Sequence, residues 1–233
     1  MSSPTPAGPE VVAGVDGCRT GWVVARLGPA GLSLAVVTEI GPVVEEVAGG
    51  DLAALAVDMP VGLPGDGPRA CDTEARRLLG PRRSSVFPAP ARAVLGAHTY
   101  REAAARSRAA IGRSLPVQAN NLVPKVAELD RVMRPDLQGR VVEAHPELAF
   151  ARLAGAPATH AKRTADGRLE RLGLLAAAGL GDLSKLRALG AAPDDILDAA
   201  VLALTAERAR DGTATRLGDG SVDARGLRME VAY

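Results

Sequence analysis

The 233-residue sequence contains few aromatic residues and few cysteines. One Trp, two Tyr and two Phe are too few for the stacking platform that binds extended single-stranded nucleic acids. Cys18 and Cys71 lie outside any CxxC or Cys/His spacing, which argues against a zinc site and favours a reducing cytoplasm. No apolar run reaches the roughly 18 residues of a membrane span, so we expect a cytoplasmic protein that does not enter membranes.

Excess charge of either sign is also lacking, because the formal net charge is only +1. This value argues against a strongly basic nucleic-acid coat protein or a membrane-surface binder. The hydrophobic content of 47% is enough to bury a full core. We predict a disordered tail over residues 1–10 and a single domain over residues 11–233, with an insertion at about residues 65–138.

Short apolar segments at the start of the chain predict a β-meander of three strands, over Val11–Val15, Gly21–Leu27 and Leu32–Thr38. A short helix over Val43–Ala48 and a buried strand over Leu52–Val57 follow. The resulting order, βββαβ, predicts an α/β fold with a mixed sheet and flanking helices.

The rest of the chain predicts mainly helices and one more strand. Three prolines within Pro81–Pro90 predict a segment without regular structure, which is either a functional loop or a linker. A last strand is predicted over Arg140–Ala144. The predicted helices cover Asp72–Gly80, Thr99–Ile111, Leu122–Met133, Glu170–Ala178, Leu183–Leu189 and residues 194–206.

Asp198 stands in the middle of the last of these helices, which is apolar nearly all the way round. A buried carboxylate must be protonated, paired or bound to a metal, and this segment has no Lys or Arg before Arg208. The partner must therefore come from elsewhere. Asp194, Asp195 and Asp198 fall within a sector of roughly 100° of the helix, which suits a cation site. Helix capping explains the first two aspartates but not Asp198.

Asp16 and Asp58 each follow directly after an apolar strand. Ligands of open α/β sheets bind at the carboxyl ends of the strands, so parallel neighbouring strands would bring these carboxylates together. With Asp198 they would repel one another unless Mg²⁺ or Mn²⁺ lay between them. The alternative is that each aspartate only begins a turn.

Several motifs of this chain occur together in one family. They are Gly14-Val15-Asp16-Gly17-Cys18-Arg19, Val57-Asp58-Met59-Pro60, Arg82-Arg83-Ser84-Ser85-Val86-Phe87-Pro88, Asn121 with Pro124-Lys125, Glu143 before His145-Pro146-Glu147, the Asp195/Asp198 helix and Gly226-Leu227-Arg228-Met229-Glu230. The sequence resembles the family known as domain of unknown function 429, described as predicted ribonuclease-H-like nucleases. The resemblance implies a ribonuclease-H-like fold with a mainly helical insertion.

The resemblance also implies a two-metal phosphodiester hydrolysis of nucleic acid or a nucleotide. Asp16, Asp58 and Asp198 would be metal ligands, and Asp195 an alternative ligand, with all four acting in catalysis. Glu143 is either a further metal ligand or a strand-end residue that pairs with an arginine. The resemblance adds two weaker substrate-binding candidates, Asn121 and Lys125.

Basic and hydroxyl side chains predict where a phosphate would bind. Arg82, Arg83 and Ser84 lie together in the proline-constrained segment, where they can form a phosphate cradle. Arg19 follows Asp16 closely enough to contact a phosphate or to neutralise the acids. His145 is a candidate base or phosphate-orienting residue, although a structural hydrogen bond is its more common role at such a position.

Two other function classes are compatible with the sequence. An actin-like nucleotide or sugar-phosphate binder shares the βββαβ opening, but the resemblance to its phosphate loop is weak because Gly17 follows Asp16 immediately. The acids could instead be structural in an interaction scaffold. Specific uptake of Mg²⁺ or Mn²⁺ would distinguish the hydrolase from the scaffold.

Overall fold

The computed structural model describes residues 10–188 and 190–233, so the predicted tail lies outside the described residues except for Glu10. Five strands form one mixed sheet in the order β3-β2-β1-β4-β5. They are β1 (Val12–Cys18), β2 (Gly21–Gly28), β3 (Gly31–Val37), β4 (Ala54–Val57) and β5 (Val141–Glu143). The predicted βββαβ order and the α/β class with a mixed sheet are therefore confirmed.

The sheet has an antiparallel half and a parallel half. Strand β1 pairs antiparallel with β2, which pairs antiparallel with β3. On its other edge β1 runs parallel to β4, and β4 runs parallel to β5. Val15 lies opposite Val57, and the Asp58 amide donates to the Val15 carbonyl at 2.9 Å. Asp58 directly follows β4, whereas Asp16, expected to follow its strand, lies inside β1 opposite Val23 of β2. The two residues lie side by side where the parallel pairing of β1 and β4 ends.

The helices are α1 (Gly41–Gly49), α2 (Ala70–Leu79), α3 (Tyr100–Ile111), α4 (Val117–Val132), α5 (Pro146–Ala154), α6 (Ala165–Leu175) and α7 (Pro193–Arg210). Between β4 and β5 the described chain is helical, with α2, α3, α4 and short 3₁₀ turns. A small antiparallel pair, β6 (Arg216–Leu217) and β7 (Val231–Ala232), lies near the C-terminus. Within the described ranges, no helix combines the length and apolar character needed to cross a bilayer.

Helices cover both faces of the sheet. Apolar residues of α1 and α4 pack with Trp22 and Leu55 on one face, and residues of α5 and α7 pack with Val12 and Ala56 on the other. Helix α7 lies against β1 at Gly14, where a Cβ atom would overlap the backbone of Ala199. This close approach brings the N-terminal half of α7 next to the end of β1.

Two sequence predictions about local structure are wrong. No helix forms over residues 183–188 of the predicted Leu183–Leu189 helix, and residue 189 lies outside the described chain. Gly181 and Gly190 flank this stretch with positive φ values of 73° and 92°, which a helix cannot continue through. The residues between them are too few to offset the cost of helix nucleation. The segment Pro81–Pro90 was expected to lack regular structure, but a 3₁₀ helix covers Gly80–Ser85, because Pro81 is acceptable in a first turn.

Candidate functional site

A cavity of about 580 Å³ opens at the carboxyl ends of β1, β4 and β5. The first turns of α5 and α7 and the connection between α5 and α6 also line it. Eight of the predicted site residues line this cavity: Asp16, Asp58, Arg82, Ser84, Glu143, His145, Asp195 and Asp198. The structure thus brings these eight residues together at one end of the sheet.

A larger open groove, of about 1020 Å³, lies at the opposite end of the sheet. It is lined by residues that precede the parallel strands, such as Ala53 and Arg140, and by the C-terminal turn of α7 near Arg210. None of the predicted site residues lines this groove. The carboxyl-end cavity is thus the candidate site, since it holds the chemically active side chains.

Asp16, Asp58 and Asp198 form a group of acids at the base of the cavity, which we call the cavity acids. Asp198 is 1% exposed and Asp16 is 8% exposed. Burial raises the pKa of Asp16 well above its usual value, and the charges of Asp58 and Asp198 raise it further. Burial also raises the pKa of Asp58. Charge repulsion among these acids thus acts in the same direction as burial.

The partner that the buried Asp198 requires is Lys162, which the sequence prediction did not identify. The Lys162 ammonium donates to Asp198 Oδ2 at 2.5 Å. Burial alone would lower the pKa of Lys162, but the nearby Asp198, Asp16 and Asp58 raise it above its usual value. Burial raises the pKa of Asp198 to about 6 even with this partner. One lysine therefore compensates the cavity acids only in part.

Lys162 belongs to residues 155–164, the connection between α5 and α6, which we call the strap. Arg82 holds the strap through the Ala158 carbonyl at 2.9 Å and the Thr159 carbonyl. Glu170 accepts from the Thr159 amide at 2.7 Å. The Arg82 guanidinium is thus engaged with backbone oxygens, which limits its freedom to bind a phosphate, while Ser84 remains exposed beside the cavity.

Glu143 has the arginine partner that was one of its two predicted roles. Arg69 donates to both carboxylate oxygens of Glu143, at 2.6 and 2.7 Å, and the Val61 amide donates at 2.7 Å. The same guanidinium bonds to Asp72 at 2.5 Å. Burial raises the pKa of Glu143 to about 6, although Arg69 acts in the opposite direction. Both oxygens of Glu143 are therefore already used within the protein.

Glu147 is a further buried acid in the cavity, in the first turn of α5, and the sequence prediction did not select it. Its Oε1 accepts from Arg171 at 2.5 Å, whereas Oε2 has no hydrogen-bond partner within the described structure. Arg171 is itself buried and bonds to the Gly167 carbonyl at 2.8 Å. The sequence signal for Glu147 is its place shortly after the strand that ends at Glu143, separated from it by Ala144, His145 and Pro146.

Asp195 and His145 line the cavity and also hold local structure. The Asp195 carboxylate accepts from the Ala192 amide at 3.0 Å, as expected for an acid in the first turn of a helix. His145 Nε2 lies 3.2 Å from the Ser85 carbonyl, which ties the start of α5 to the 3₁₀ helix. Burial has the largest effect on the pKa of Asp58. The second largest is the electrostatic effect of nearby His145, which lowers that pKa.

Four residues predicted to contact substrate lie outside the cavity lining: Arg19, Arg83, Asn121 and Lys125. The first three are exposed. The Lys125 ammonium donates to the Gly21 carbonyl at 2.5 Å and lies 4.3 Å from the centre of the Trp22 ring. Lys125 thus fastens α4 to the start of β2, and its predicted substrate role would require it to leave these contacts.

The donor atoms fit a hard divalent cation, but they do not form a complete ligand set. In residues 10–188 and 190–233, no group of three or more His, Cys, Asp or Glu side chains has the spacing to hold a metal ion. The carboxylate oxygens suit Mg²⁺ or Mn²⁺ chemically, and buried Asp198 Oδ1 has no hydrogen-bond partner among the described residues. Magnesium often uses only one or two carboxylates and completes its shell with water and substrate phosphate. The arrangement fits that mode of binding.

The family profile described as "Protein of unknown function (DUF429)" matches residues 14–222. The chain therefore belongs to this family, as its motifs indicated. Comparison with curated proteins gives no significant match, and comparison with solved structures gives none.

Proposed function

We propose that this protein is a divalent-metal-dependent phosphodiester hydrolase with a ribonuclease-H-like fold. The observation that carries the proposal is the meeting of Asp16, Asp58 and Asp198 in one cavity, where Lys162 donates to Asp198 and no cation among the described residues bonds to Asp16 or Asp58. Buried acids with strongly raised pKa values in a cavity are typical of functional sites. The sheet order β3-β2-β1-β4-β5 and the placement of these acids support the fold assignment by resemblance.

Mg²⁺ or Mn²⁺ would be held by Asp16, Asp58 and Asp198. When bound, such an ion polarises a phosphoryl oxygen and lowers the pKa of a bound water. Asp195 and Glu143 are weaker candidates, because a helix amide and Arg69 already occupy them.

The chain supplies cations and shelter for a phosphate-bearing substrate. Lys162 and Arg163 bring positive charge to the lining of the cavity, which also includes Ser84 of the 3₁₀ helix. Their attraction for a phosphate would be stronger wherever a bound substrate displaces water from the cavity. A volume of about 580 Å³ suits a nucleotide or one end of a nucleic acid strand, since small-molecule pockets span roughly 300–1,000 Å³.

The test is hydrolysis of RNA, DNA, branched DNA and nucleotides by the purified protein with Mn²⁺ or Mg²⁺. We expect one class to be cleaved, and cleavage to be lost in EDTA and in Asp58→Asn. Asp66→Asn is the matched control, because Asp66 is an exposed aspartate on the same loop. Nucleotide binding without hydrolysis would instead favour the actin-like binder, and the absence of metal uptake would favour the scaffold.

A further inference from the structure

We infer that Glu147 and Asp198 together bind a divalent cation, with Glu147 oriented for this purpose by Arg171. This inference rests on the proposed function only in using the same class of ion. It adds a residue outside the predicted ligand set of Asp16, Asp58, Asp198, Asp195 and Glu143.

The first observation is a pair of buried oxygens. Glu147 Oε2 and Asp198 Oδ1 have no hydrogen-bond partner among the described residues, although both side chains line the same cavity. Glu147 is 6% exposed and Asp198 is 1% exposed. Nearly all buried polar atoms in proteins have a partner, so two unpartnered carboxylate oxygens in one cavity indicate a missing ligand.

The second observation is how each carboxylate is held. Arg171 bonds to Glu147 Oε1, and Lys162 bonds to Asp198 Oδ2, so each side chain has one fixed oxygen and one free oxygen. Partners of this kind orient metal ligands in many proteins. A cation at the free oxygens would not need to displace either Lys162 or Arg171.

The balance of charge points the same way. Among the described residues, Lys162 bonds to Asp198 and Arg171 bonds to Glu147, whereas Asp16 and Asp58 have no bonded cation. Two negative charges remain, which one divalent ion would neutralise. Glu143 serves as the contrast, because Arg69 and the Val61 amide already use both of its oxygens.

The experiment is calorimetric titration of the metal-free full-length protein with MnCl₂, in the absence of substrate. We expect Glu147→Gln to weaken Mn²⁺ binding at least about tenfold. Loss of a residue that only orients a metal ligand already weakens metal binding by about tenfold or more, and a ligand should matter at least as much. Glu147→Asp keeps the negative charge beside Arg171 but has a shorter side chain. Its Mn²⁺ affinity should lie between that of Glu147→Gln and that of the parent protein. Glu207→Gln is the control, since it removes the same charge from the far end of α7 and should bind like the parent.

Thermal melts in EDTA establish whether each variant is folded. If Glu147→Gln does not fold, Glu147→Asp decides the matter. Parent-like Mn²⁺ affinity in the folded Glu147 variants, with affinity lost in Asp16→Asn and Asp58→Asn, would overturn the inference and leave the proposed function intact. A parent protein that takes up no Mn²⁺ would overturn both.

Discussion

The structure holds two groups of buried acids that differ in how their charge is balanced. One group, the paired acids Asp72 and Glu143, shares the guanidinium of Arg69. The other group consists of the cavity acids, of which Asp198 bonds to Lys162. Backbone amides complete the paired acids, because the Val61 amide donates to Glu143 and the Ala89 amide to Asp72.

Backbone amides complete the cavity acids less fully: the Gly17 amide donates to Asp16 Oδ1 at 2.7 Å, and no backbone amide among the described residues donates to Asp58 or Asp198. Asp198 keeps one buried oxygen without a partner among the described residues, and burial raises the pKa of all three cavity acids. A carboxylate that the protein fully satisfies is expected to stabilise the fold, whereas one left partly unsatisfied is expected to serve a ligand. The comparison predicts opposite effects of mutation in the two groups.

The largest effect should come from breaking the paired acids. Arg69→Met would leave Asp72 and Glu143 buried without their cation, so we expect a loss of about 3–5 kcal/mol in the free energy of unfolding. Urea denaturation at neutral pH measures this value. Arg77→Met, at an exposed position of α2, the helix that begins directly after Arg69, should change this free energy by less than about 0.5 kcal/mol. A similar small loss in Arg69→Met would mean that the pairing does not stabilise the fold.

Asp198→Asn should have the reverse profile. We expect activity to fall at least about 100-fold, which raises the activation free energy by about 2.7 kcal/mol. Residues that only orient a metal ligand cost up to about 100-fold, and a ligand should cost at least as much. Stability in EDTA should stay equal or increase, because a repelling charge is removed. Initial rates and thermal melts measure the two quantities. A clear loss of stability in EDTA would show that Asp198 is a structural acid like Glu143.

Acidification should weaken metal binding. Asp198 must be ionised to bind a cation, and burial raises its pKa to about 6, so Mn²⁺ affinity should fall by about tenfold per pH unit below that value. The stability of the metal-free protein should change in the other direction. The folded state binds the proton of Asp198 more tightly than the unfolded chain does. The contribution of Asp198 to the free energy of unfolding therefore rises as pH falls from about 6 towards 3.8.

Titrations with MnCl₂ at several pH values and melts in EDTA check both trends. Asp198→Asn is the control for the melts. Any change of stability with pH that remains in this variant comes from other groups, such as Glu143. An Mn²⁺ affinity that is flat between pH 7 and pH 5 would contradict the assignment of Asp198 as a ligand.

The smallest effect should come from Lys162. Lys162→Met removes the bonded cation of Asp198, and we expect a loss of about 1 kcal/mol in EDTA, a low value because the lysine side chain is 37% exposed. Saturating Mg²⁺ should restore part of this loss by supplying positive charge. Arg163→Met is the matched control. This neighbouring side chain is 87% exposed, and its Nε lies 3.8 Å from the nearest Asp194 oxygen, too far for a hydrogen bond. Equal losses in the two variants would show that Lys162 is an ordinary surface cation.

Local patterns predicted the central fold elements and the positions of the acids. The apolar surroundings of Asp198 predicted its burial and its need for a partner, since both depend on one helix. The identity of that partner was not predictable, because Lys162 precedes Asp198 by 36 residues and reaches it only through the folded strap. The two roles of Glu143 were equally hard to separate, because Arg69 lies 74 residues away along the chain.

Gly14 has a consequence for how this family can diversify. Because α7 rests directly on the β1 backbone there, the separation of Asp198 and Asp16 is set by regular secondary structure. The strap and the 3₁₀ helix lie outside this contact and form the walls of the cavity. Under the proposed function, exchanging those walls between relatives would change which substrate enters and leave the spacing of the acids as it is. Chemistry and selectivity could then evolve separately.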